Sequence, residues 1–141
     1  MATIPSNRIK YLLATKKIDF ANDSFKIILM ATGFVFDPDT HHQYSDFSSS
    51  ELADGNGYTR DSKILTGVTI TEDLSNDRTA ILWSNPSWVA SGGNIGPTPG
   101  AIIFDDTEAN DSSVSYIDFS DELTQASGGI FTVSSPGVRI S

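Results

Sequence analysis

Short β-branched or aromatic runs recur along the chain about every ten residues, separated by clusters of Gly, Asn, Asp and Ser. The runs fall at residues 25–30, 64–71, 79–83, 87–90, 101–104, 114–119, 130–133 and 138–140, and residues 9–13 read as the opening of a further strand. Such a cadence leaves little room for helices. It predicts an all-β fold, a single-domain β-sandwich of jelly-roll or Ig-like type, with long loops and at most one short helix. That helix is expected where Ser48 or Ser49 caps a segment through Leu52, with Glu51 near the open amides. One domain is expected over residues 1–141, with residues 1–13 forming an N-terminal arm or an edge strand.

Side-chain alternation assigns faces. In FKIILM, Phe25, Ile27 and Leu29 share one face while Lys26, Ile28 and Met30 share the other, so both faces must be at least partly covered. The turn EDLSND should join the run at 64–71 to the run at 79–83 as a hairpin. Residues 33–46, with Pro38, His41 and His42, read as a surface excursion. The segment SGGNIGPTPG, residues 91–100, holds four glycines and two prolines, and is expected to follow a fixed path without ladder hydrogen bonds.

Charge is unevenly placed. The net charge is -9, but residues 1–26 carry five bases against two acids, or +3, and the remainder carries four bases against sixteen acids, or -12. An acidic body repels phosphate, which argues against a nucleic-acid partner. The basic start, Arg8, Lys10, Lys16 and Lys17, is suited instead to an acidic protein surface, with Tyr11 and Phe20 as apolar anchors. With no cysteine, disulfides, thiolate metal sites and thiol nucleophiles are excluded. No apolar run reaches the length of a membrane span, and the first residues lack the apolar core of a secretory signal.

Candidate chemistry is sparse. His41 and His42 share one loop with Asp37, Asp39 and Asp46, a set from which a surface metal site could be built. Asp106, Glu108 and Asn110 imitate the first three ligand positions of a calcium loop. The imitation then fails, because Asp111 stands where glycine is required and Ile117 where a bidentate Glu is required. Nucleophile, phosphate-loop and zinc-protease motifs are absent, so no enzyme and no cofactor are expected. Trp83 and Trp88 flank a short turn and, with Tyr44, form the alternative candidate, a carbohydrate platform; packing in the core is the other role open to the indoles.

The string SNPSWVASGGNIGPTPGAIIFDD, residues 84–106, resembles a segment of small virion proteins of tailed bacteriophages. IPSNRIKYLL, FKIILM, GNGYTR, LTGVTITED, YIDF and VRIS match in collinear order over nearly the whole chain. The resemblance implies a β-rich structural protein assembled in many copies on the particle, and it carries over no catalytic residue. From it follows the expectation of a capsid decoration or cement protein, made in the bacterial cytoplasm and located in the virion. Its partners would be the major capsid protein lattice and other copies of itself, as a homotrimer. A tail, connector or tail-tip component is the second expectation, and a carbohydrate-binding adhesion module the third.

Overall fold

The computed structural model describes residues 2–141. Ten strands dominate: β1 (Ala2–Pro5), β2 (Phe25–Leu29), β3 (Lys63–Ile64), β4 (Thr69–Asp73), β5 (Arg78–Leu82), β6 (Ser87–Val89), β7 (Ile95–Asp105), β8 (Ser113–Gln125), β9 (Ile130–Thr132) and β10 (Gly137–Ile140). They form a five-stranded sheet in the order β1-β8-β7-β2-β3, a three-stranded sheet β10-β5-β4 and a two-stranded sheet β6-β9, all antiparallel. The all-β, sandwich-like architecture is the one the strand cadence predicts.

The five-stranded sheet is covered on both faces, and its register shows how. Ile28, Ile102, Tyr116 and Ile4 lie opposite one another across β2, β7, β8 and β1. This row builds a core with Met30, Phe36, Phe47 and Phe104. The neighbouring positions Phe25, Ile27, Leu29, Ala101, Ile103, Ile117 and Phe119 face the other way and join Ile81, Val138, Phe131 and both tryptophans in the larger core. The alternation in FKIILM therefore places Phe25, Ile27 and Leu29 in one core and Ile28 and Met30 in the other. Each fully buried side chain of this size contributes roughly 1.5–3 kcal/mol.

Several local expectations are corrected. The run at 64–71 is not one strand: Gly67, at φ +67°, interrupts it, leaving β3 and β4 in different sheets. The segment 91–100 joins the ladder from Ile95 onward, but its register shifts around Pro97 and Pro99, because proline donates no hydrogen bond. Gly100 lets the ring of Tyr116 lie against the backbone, where any β-carbon would collide with it.

The excursion at 33–46 is no mere surface decoration. Phe36 stacks on Tyr116 at 5.3 Å, and the His41 ring packs against Phe34 and Phe36, closing the second core.

Two short helices stand where the sequence allowed one. α1 (Arg8–Ala14) replaces the strand expected at 9–13, while the edge strand expected within residues 1–13 is found as β1, paired with β8. α2 (Tyr44–Phe47) begins four residues before Ser48, capped by Gln43 and Asp46 in a reciprocal box, and a 3₁₀ turn follows at Ser48–Ser50.

Candidate partner-binding surface

α1 forms because Ile9 and Leu12, three residues apart, bury fully on one side, while Arg8, Lys10, Tyr11 and Leu13 remain at the surface. Ser6 Oγ accepts the amide of Arg8 at the helix entrance. At the exit, Lys17 N–H donates to Leu12 C=O and Lys16 N–H to Leu13 C=O, the two bonds of a Schellman motif. Its left-handed position is filled by Lys16, at φ 58°, where glycine is usual. Lys16→Gly should therefore stabilise the fold by about 0.5–1 kcal/mol, because a β-carbon is disfavoured there. The urea midpoint should rise with an unchanged slope; a lower midpoint would contradict the capping geometry.

The exposed side of α1 is basic and amphipathic. The Arg8 guanidinium lies 4.5 Å and Lys17 Nζ 5.6 Å from the Tyr11 ring centre, so the two cations flank one half-exposed aromatic. Lys10 shares a shallow cleft with Arg139 and Ile140. Beyond it, Leu13, Ile70 and Ile140 line an apolar groove of about 180 Å³. Four ion pairs occur among the described residues, joining Lys26 to Asp61 and Asp106, Arg60 to Glu51 and Arg78 to Asp73. None involves Arg8, Lys10, Lys16, Lys17 or Arg139. In a chain with twice as many acids as bases, these five cations stand without a carboxylate partner among the described residues.

Four of the five aromatic candidates are engaged within the fold. Phe20 is buried, stacked on Phe25 at 5.5 Å, and so cannot anchor a partner. Leu13, by contrast, is 40% exposed beside Tyr11 on α1. Trp83 packs on Phe25 at 5.0 Å and Trp88 on Tyr58 at 5.9 Å, both in the core. Tyr44 leans on Phe104 and donates its hydroxyl to Glu51. These three aromatics therefore form no exposed carbohydrate platform. Tyr11 alone remains at the surface.

The acidic loop is likewise occupied by its own chain. Asp106 pairs with Lys26 at 3.2 Å, and Glu108 accepts from Asn110 N–H and from Ser112 Oγ. His41 Nδ1 accepts the amide of Asp37, and Asp46 caps α2. Among the described residues, no group of three or more carboxylate or imidazole side chains is arranged to hold a metal ion. The two carboxylates of the calcium-like spacing are thus engaged within their own chain, Asp106 by Lys26 and Glu108 by Asn110 and Ser112.

One buried carboxyl carries no signal in its local sequence. Asp105, at the end of β7, is fully buried; its Oδ1 accepts the amides of Thr107 and Glu108, while Oδ2 lacks an N–H or O–H donor. Burial, and then a hydrogen bond with the Asp23 carboxyl, push Asp105 up to about 8. A carboxyl raised this far favours its protonated form near neutral pH. The pair joins the β2 entrance to the β7–β8 turn.

No helix among the described residues is long and apolar enough to cross a membrane. Compared with protein-family models, with curated proteins and with solved structures, the chain finds no match.

Proposed function

We propose that this chain is a non-enzymatic structural protein of a tailed-bacteriophage virion, a decoration protein that docks α1 on the acidic outer surface of the capsid. The observation that carries the reading is the set of cations on and beside α1 that no carboxylate of the same chain neutralises, grouped around Tyr11 and Leu13. Supporting it are the collinear segments that resemble small virion proteins and a fold held together without covalent links. The physical mechanism is area multiplied by copy number. Each copy burying about 1,000 Å² or more would tie neighbouring capsid subunits together, and repetition over the lattice makes modest single contacts sufficient.

Arg8 and Lys10 steer and orient the contact, while Tyr11 supplies the apolar anchor. Replacing Arg8 and Lys10 with Glu should lower affinity for undecorated capsids at least tenfold, or about 1.4 kcal/mol, with the melting temperature nearly unchanged. Sedimentation with undecorated capsids measures it. Undiminished binding would remove α1 from the interface, and saturation at the copy number of a single ring would favour a tail or connector position.

A further inference from the structure

The three-stranded sheet ends on β4, whose outer edge pairs with no other strand among the described residues. Edges of this kind are commonly blunted by proline, lysine or a bulge. β4, with the sequence TITED, contains none of these, and of its two charged residues Asp73 is matched by Arg78 within the chain, leaving Glu72. Its surroundings are apolar: Ile70 is 50% exposed, and Leu74, just beyond the strand, is 80% exposed. We propose that β4 is an interface on which the same strand of a second copy adds, antiparallel about a two-fold axis at Thr71, so that two three-stranded sheets become one of six strands.

Register selects this arrangement. Centring on Thr71 is the only antiparallel pairing that uses all five residues of both strands, Thr69 opposite Asp73 and Ile70 opposite Glu72. A centre at Glu72 would instead set two Glu72 carboxylates against each other, and a centre at Ile70 would leave only three residues of each strand paired. With Thr71 at the centre, Leu74 of one copy comes to the end of the strand occupied by Val68 of the other, covering an exposed leucine.

Charge is complementary in the same register. Directly opposed residues point to the same face of a sheet, so Glu72 of the second copy arrives beside Ile70 on the face that carries the groove with Leu13. Lys16 and Lys17 follow Leu13 at the end of α1, without a carboxylate partner in their own chain. Asp73, the other carboxylate of β4, is already matched by Arg78 at 3.1 Å. The second copy therefore adds main-chain bonds and apolar contact, and sets its Glu72 on the side of the groove that leads through Leu13 to Lys16, since Lys17 Nζ lies over the Tyr11 ring. The proposal does not rest on docking to a shell, and it gives a two-fold pair rather than the three-fold one expected from a lattice position.

The chain's lack of cysteine allows a direct test. Under mild oxidation Thr71→Cys should give a disulfide-linked dimer. Thr69→Cys should not, because residues 69 of the two copies would stand about four residues, or roughly 13 Å, apart along the strands, beyond disulfide reach. Sedimentation of the unmodified protein at high micromolar concentration should show a dimer. Lys16→Glu should weaken that dimer tenfold or more, and Lys16→Glu combined with Glu72→Lys should restore it. A monomer, a trimer, equal cross-linking at positions 69 and 71, or no restoration in the double exchange would each overturn the proposal. Circular dichroism of each variant confirms that a loss of pairing is not a loss of fold.

Discussion

Glu51→Ala should cost about 3–5 kcal/mol of stability and lower the melting temperature by roughly 10 °C or more. The carboxylate is buried yet accepts three hydrogen bonds, from Tyr44 Oη at 2.5 Å, Tyr58 Oη at 2.7 Å and the amide of Asp61 at 2.9 Å. Arg60 Nε lies 3.6 Å away. Tyr58 Oη, in turn, accepts the amide of Leu29 on β2. Glu51 thus fastens the long connection between β2 and β3 to the central sheet, and alanine would leave two hydroxyls and an amide without their acceptor. Burial foremost, with the negative charge of Glu51 beside it, drives Tyr58 far above the ordinary phenol range. Both tyrosines are therefore donors at all working pH. Tyr58→Phe should cost less, about 1–2 kcal/mol, since it removes one donor and frees one amide. A loss below about 1 kcal/mol for Glu51→Ala would contradict this role.

Asp105→Asn should be stabilising at alkaline pH and nearly neutral in acid. Asparagine reproduces the protonated acid: its carbonyl keeps the amides of Thr107 and Glu108, and its amide donates to Asp23. In the unfolded chain an aspartate titrates near about 3.9, whereas folded Asp105 titrates at about 8. Between those values the folded state holds a proton that the unfolded state has released, so stability falls as pH rises, by at most about 1.4 kcal/mol per pH unit. Below pH 4 the contribution is fully present, and above pH 8 the loss is complete and level. The opposite behaviour belongs to Asp19, Asp37, Asp73 and Glu122. Hydrogen bonds from Asn22, the amide of Asp39, Asn76 and Thr32, respectively, lead in holding these carboxyls below their usual values, and their support fades only as pH falls through the acid range. Urea unfolding of both proteins from pH 4 to 9 measures the difference directly. Parallel curves would show that Asp105 is ionised in the folded state.

What the sequence could reveal depended on which interactions were local. FKIILM shows its two-faced burial because strand alternation is a property of neighbouring residues, and the hairpin of β4 and β5 shows itself through the turn between them. α1 was not legible as a helix. Ile9, Tyr11 and Leu13 alternate as a strand would, and the helical pair Ile9 and Leu12 is too short a signal to outweigh them. Its end carries no glycine, because Lys16 takes the left-handed position. Spacing to Ser6 and to the TKK segment offered only a weak hint. Phe20 and both tryptophans show the same limit: whether an aromatic is anchor or core is decided by partners distant in sequence, here Phe25, Tyr58 and Phe131. Asp105 could not be distinguished from Asp106, its neighbour, since one is buried against Asp23 and the other pairs with Lys26 only through the pairing of β2 with β7. The basic start, by contrast, was visible as a charge count, and folding sets Arg8 and Lys10 on α1 and Lys16 and Lys17 just past its end, while Lys26 goes to β2.

The proposed role in the particle is tested most directly by a three-dimensional reconstruction of a virion built with this chain, at a resolution that separates α1 from the sandwich. Density for this protein is expected on the outside of the head, at lattice positions, with α1 and Tyr11 turned toward the shell and the acidic body turned outward. Copies confined to the tail or its connector, or copies on the head with α1 facing solvent, would contradict it.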